Sequence, residues 1–157
     1  MILLKILRLI ESEKILMIVV DTDFLSAILK IEELELVLEE LSVDEIFVPV
    51  QVEKELLDEL ERKMEGRIRV EDIDPIEDEE LGKGERAVIA LADKEDLILM
   101  NDRKACEKAA ERGLNTVTIP GFLKVLGDET AQRVADKLKE KDSYRFSEED
   151  RKKLGLN

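Results

Sequence analysis

Short apolar runs alternate along this chain with stretches whose apolar residues return every three or four positions, a strand–helix–strand rhythm. Ile18-Val19-Val20 is the first run, and Asp21 ends it. Leu97-Ile98-Leu99-Met100 repeats the grammar and runs into Asn101-Asp102-Arg103. Runs of this kind read as strands buried on both faces of a parallel sheet. Strands are expected over 18–21, 45–48, 67–70, 96–100 and 116–119. Helices are expected over 23–30, 32–41, 51–64, 85–94 and 103–112. The remainder, 121–157, reads as short helices broken at Gly127 and Gly155, with Ser147 as N-cap of the last. Alternating elements of these lengths predict an α/β fold: a three-layer, Rossmann-like α/β/α sandwich around a central parallel sheet.

The chain has 157 residues, enough for one domain with a sizeable core. That domain is expected over 17–157, because Met17 abuts the first strand and residues 1–16 lack a clear place in the sandwich. The apolar positions of 1–16 are interrupted by Lys5, Arg8, Glu11 and Glu13, too short and too charged a stretch to span a bilayer. No small-residue cleavage site follows, so 1–16 is read as an extension rather than a leader, and the protein as cytoplasmic.

Composition narrows the chemistry. There is no histidine, which removes imidazole acid–base catalysis, Ser-His and Cys-His nucleophiles and imidazole-built zinc sites. The single cysteine, Cys106, excludes an internal disulfide and reads as a small buried thiol. Carboxylates, hydroxyls, Lys and Arg remain, and oxygen-rich sites of that kind suit Mg²⁺ or Mn²⁺. A net charge of −14 argues against unspecific binding to nucleic acid or membranes. The acidic run at 71–80 reads as a solvated loop and helix start. Glu and Lys abundance with only Gln51 and Gln132 for glutamine matches proteins from hot environments.

Two strand ends deliver Asp21 and Asp102, where open parallel sheets place their ligand crevice. Each would otherwise serve as the N-cap of its following helix. Asp23 follows Asp21 at i+2, and the Asn101 amide oxygen could assist. Glu85 shares a helical face with Val88, Ile89 and Ala92, so it points at the rim of the core, unless it merely complements the helix dipole. Helix 51–64 offers Glu53 and Glu55. Its apolar stripe, centred near Leu56 and Leu60, contains Glu53 and leaves Glu55 well to one side, so periodicity alone selects Glu53.

Four segments then fall into a known order: Asp21-Thr22-Asp23, Pro49-Val50-Gln51-Val52-Glu53-Lys54-Glu55, Gly84-Glu85-Arg86-Ala87-Val88-Ile89-Ala90-Leu91-Ala92 and Asn101-Asp102-Arg103-Lys104-Ala105. Together they resemble the PIN-domain nucleases, the family that includes the VapC-type toxins, and within it an archaeal branch. The likeness runs from about 18 to the end, through Leu138-Lys139-Glu140 and Phe146-Ser147. Carried over by motif, the catalytic and metal-holding residues would be Asp21, Glu55, Glu85 and Asp102. Glu55 takes this place because Leu56-Leu57 follows it, which matches the family's Glu-Leu and overrules the helical wheel. Asn101 stands where this branch commonly has aspartate, and the toxins usually carry aspartate near the place of Glu85 in a slightly different register.

The resemblance implies a metal-dependent endoribonuclease using Mg²⁺ or Mn²⁺ and acting on RNA, with Arg103 and Lys104 as candidate RNA contacts. It extends to the toxin role in a toxin–antitoxin pair, with an antitoxin as protein partner, and to a homodimer. Helix 32–41 adds to the dimer argument. With Ile31 before it, it carries Leu34, Leu36, Val37, Leu38 and Leu41, more apolar positions than one sheet-facing stripe requires. Two rival readings stand beside this one. The fold could be kept as a catalytically weak protein- or RNA-binding module, or Asp21-x-Asp23 could be the aspartyl nucleophile pair of a phosphatase, with Phe24 where such enzymes carry Gly or Thr.

Overall fold

The computed structural model describes residues 17–51, 56, 58–59, 62 and 67–157. Five strands, β1 (Ile18–Val20), β2 (Ile46–Pro49), β3 (Ile68–Glu71), β4 (Leu97–Leu99) and β5 (Asn115–Val117), form one parallel sheet in the order β3-β2-β1-β4-β5. Val19 pairs with Phe47 on one side and Ile98 on the other, and Ile98 pairs with Thr116. The chain leaves the centre of the sheet in opposite directions after β1 and β3, so the reversal of strand order falls between β1 and β4. In doubly wound sheets that reversal opens a crevice at the carboxyl ends of the strands. Asp21 and Asp102 follow the two strands that flank it.

Seven helices have described bounds: α1 (Thr22–Lys30), α2 (Leu34–Leu41), α3 (Lys83–Leu91), α4 (Arg103–Glu111), α5 (Ile119–Leu123), α6 (Asp128–Asp142) and α7 (Glu148–Leu154). Leu56, Asp58, Glu59 and Arg62 are also helical, inside the expected helix 51–64. Side chains alternate across a strand, and the core divides accordingly. Ile18, Val20, Ile46, Val48, Leu97 and Leu99 pack on one face with apolar residues of α1, α2, α5 and α6. Val19 and Ile98 pack on the other with Val88 and Ile89 of α3 and Ala105 and Ala109 of α4. The expected three-layer sandwich is the fold observed.

Several boundaries differ from expectation for local reasons. Glu32 takes a left-handed conformation, φ 57°, which breaks the chain between α1 and α2 and starts α2 only at Leu34. Helix α3 begins earlier than expected, at Lys83. After β5, Thr118 caps α5 by accepting from Gly121 N–H at 3.1 Å, with Pro120 in the first turn where a missing N–H leaves no helical bond unmade. The tail holds one helix of 15 residues, α6, rather than short pieces alone. Ser147 does cap α7, accepting from Asp150 N–H at 3.0 Å.

The apolar positions of 31–41 do not form a free surface. Ile31, Leu34, Val37, Leu38 and Leu41 are buried, and Leu36 is half-buried against the same core, which α6 shares through Ala131, Val134, Ala135 and Leu138. The surplus counted toward a homodimer is satisfied within one chain. Residues 1–16 lie outside the described residues, as do Glu53 and Glu55.

Candidate functional site

Asp21 begins where β1 ends. Its N–H donates to Leu99 O at 2.9 Å, so the β1–β4 pairing continues through the residue and fixes its backbone. It is the N-cap of α1, yet its carboxylate makes no capping bond to that helix. The residue is only 3% exposed. Burial pushes its acid up to about 7 from an ordinary 3.8; the Thr22 N–H favours the charged form, and the charges of Asp23, Glu85 and Asp102 oppose it. Three helices therefore direct negative charge at one buried carboxyl.

Glu85 stands in the first turn of α3. Its Oε1 accepts from Gly82 N–H at 3.0 Å, the ordinary work of a first-turn glutamate. Its Oε2 is buried with no hydrogen-bond partner. Burial raises this acid, Gly82 N–H lowers it, and the neighbouring Asp102 and Asp23 raise it again. The α3 turn comes close to α1: a Cβ added at Gly84 would lie 3.8 Å from Thr22 Oγ1.

Asp102 does the expected capping as well. Its Oδ1 accepts from Ala105 N–H at 2.9 Å at the start of α4, while its charge acts on Glu85. The capping and functional readings of Glu85 and Asp102 are thus compatible, since one oxygen of each closes a helix turn. Cys106, one turn into α4, is half-buried and donates from Sγ to Met100 O at 3.3 Å. Burial pushes its thiol up, and the charges of Asp102, Asp21 and Glu85 push it further, so it borders the same crevice in its protonated form.

The structure brings together Asp21, Glu85 and Asp102 of the four expected residues and adds the charge of Asp23; Glu55 lies outside the described residues. Asn101 has other work than ligation. Its Oδ1 accepts from Ile119 N–H at 3.0 Å, and its amide donates to Tyr144 Oη at 3.2 Å. Sequence spacing could not reveal that pairing across 43 positions. Arg103 and Lys104 are exposed and already face acids, Glu107 at 3.4 Å and Glu80 at 4.0 Å. The acidic run is less free than a solvated loop, because Lys108 holds Asp78 at 3.6 Å and Glu80 at 3.1 Å.

The donors are all hard oxygens, one buried oxygen of Glu85 lacks a partner, and burial, with repulsion from neighbouring carboxylates added to it, holds Asp21 toward its neutral form. A divalent cation suits each of these features. Among the described residues, no three acidic or cysteine side chains enclose an ion as they stand. Comparison with protein families finds a family model described as PIN domain over residues 17–149. No curated protein and no solved structure matches the chain.

Proposed function

The chain belongs to the PIN-domain family, whose members are generally nucleases, and from that premise we propose that it is a metal-dependent endoribonuclease. The observation that carries the reading is the burial of Asp21 under three converging negative charges at the switch point of the sheet. Asp21, Glu85 and Asp102 would hold Mg²⁺ or Mn²⁺, with Glu55 as the fourth carboxylate supplied by the family motif. A bound ion supplies an activated water and offsets charge on the leaving oxygen of a phosphodiester. Asp21 contributes a rigid carboxylate, because strand pairing and burial leave it little freedom. Glu85 and Asp102 are each held by one oxygen at a helix start, which leaves their other oxygens for the ion. Cys106 and the β1 and β4 residues wall the crevice from bulk water on its inner side.

RNA, a cytoplasmic setting, a homodimer and the toxin role in a toxin–antitoxin pair belong to the same proposal and rest on the family resemblance. Among the described residues no helix is long and apolar enough to cross a membrane. The family assignment leaves the aspartyl-phosphatase reading without support. A non-catalytic binding module keeps one argument, the absence of an enclosed three-residue cage among the described residues.

Cleavage of structured and unstructured RNA with Mg²⁺, Mn²⁺ or EDTA tests the proposal. Activity is expected with either ion, lost in EDTA and reduced at least a hundredfold in Asp21→Asn and Asp102→Asn, on the order of the loss when an electrostatic group of an active site is removed. Full activity in either folded variant would overturn it, and no activity in the wild type would favour the binding module. Light scattering reports the oligomeric state, and a mass near 18.0 kDa rejects the homodimer.

A further inference from the structure

A concave site lies in the C-terminal part of the chain, one hydrogen bond from Asn101. Helix α6 ends at Ser143, whose left-handed backbone, φ 55°, turns the chain sharply. Tyr144-Arg145-Phe146 then forms a strap to Ser147, the cap of α7. The strap, α6 and the C-terminal residues surround a cavity of about 420 Å³, within the range of about 300–1,000 Å³ typical of small-ligand sites. Tyr144 and Phe146 both line it, with ring centroids 4.8 Å apart at 65°. Lys139, Arg145 and Arg151 line it as well, against Asp136 as its acid.

That balance is opposite in sign to the chain as a whole, whose net charge is −14. Asp136 accepts from the uncharged amide of Gln132 at 2.8 Å, so one negative charge stands against three cations. Among the described residues Lys139 and Arg145 have no ion-pair partner, whereas Arg103, Lys104 and Lys108 do. Unpaired cations beside aromatic rings are the combination that single-stranded nucleic acid requires: cations track phosphates, and a base stacks on a ring face regardless of sequence. The site is also wired to the carboxylates, since Tyr144 Oη accepts from Asn101, the residue before Asp102.

We propose that this cavity binds a nucleotide of single-stranded RNA flanking the scissile bond, its base against the Tyr144–Phe146 pair and its phosphates on Lys139 and Arg145. The class of ligand rests on the ribonuclease reading, but binding here needs no metal, so the two can be separated. Arg151 is a weaker contributor, because it donates to Asn157 O at 3.4 Å.

The test is fluorescence anisotropy of a short labelled oligouridylate at low salt in EDTA, using the full chain, Lys139→Glu/Arg145→Glu and Phe146→Leu. The double variant should lose affinity at least tenfold. The slope of log affinity against log salt should fall by about 1.4, two contacts at about 0.7 each. Phe146→Leu keeps an apolar contact with the core but loses the ring, and should weaken binding severalfold at unchanged melting temperature. If the wild type binds through these residues but cleaves nothing, the site stands and the nuclease reading falls. Cleavage with undiminished binding by the double variant would overturn the site alone. A double variant that instead loses a dimer in light scattering also overturns it, as the surface would then belong to a second copy of the chain.

Discussion

Asp21 shows how burial turns a helix cap into a chemical group. A capping aspartate accepts from its helix; Asp21 makes no capping bond and is driven to about 7. Its folded state therefore holds the proton more tightly than the unfolded chain does. That contribution to stability is complete below pH 3.8 and is lost as pH rises toward 7. Asp21→Asn removes the charge but keeps the shape. In EDTA at pH 8 the variant should melt above the wild type, by on the order of 5 °C. The bound on the gain is about 4 kcal/mol, at about 1.4 per pKa unit. The difference should vanish near pH 4, and calorimetry across pH reads it. A wild type as stable as the variant at pH 8 would mean that Asp21 is not strained. Glu85→Gln should show a smaller gain of the same sign, because its other oxygen already serves Gly82.

Glu33 decides how two elements meet. It sits in the α1–α2 turn, 8% exposed, and accepts from Arg133 and from Lys137, the latter at 2.7 Å. Burial would raise its acid, but the hydrogen bonds from Arg133 and Lys137 outweigh burial and hold it below the ordinary 4.5. A second bridge, Lys30 to Asp142 at 3.0 Å, ties the far ends of α1 and α6. Glu33→Gln should destabilise by about 2 kcal/mol, a charge-assisted bond lost with Arg133 still half in solvent. Here the sign is reversed: the stabilisation is present above pH 4.5 and lost as pH falls through the lowered value. The gap between variant and wild type in urea melts should therefore close on acidification. The strands were legible from their apolar runs to within a residue or two. Glu33 was not, since its partners lie 100 and 104 positions away.

For the whole molecule, the covered face of α2 changes what a charged substitution should do. Leu38 is 1% exposed and belongs to the core that α6 closes. Leu38→Glu should unfold the chain, through loss of apolar burial and the charge left without a partner, rather than split a dimer. Circular dichroism distinguishes a lost fold from a folded monomer. Leu36→Lys, at a half-buried position, should leave the chain folded with a modest loss of melting temperature.

Periodicity and residue type alone establish the alternation of strands and helices, the parallel sandwich, the absence of imidazole chemistry and the arrival of Asp21 and Asp102 at strand ends. Each is a property of neighbouring residues or of composition, so no long-range contact is needed to read it. Pairing of β1 with β4 sets those two carboxylates beside one crevice. Docking of α6 over α1 and α2 removes the apolar surplus and neutralises Glu33. The turn at Ser143 brings Tyr144 to Asn101 and shapes the cationic cavity. These outcomes depend on which distant faces meet, and burial then decides the charge state of Asp21, the orphaned oxygen of Glu85 and which cations remain unpaired. Only the assembled tertiary structure fixes such contacts, because the energy of a buried charge depends on every element that surrounds it.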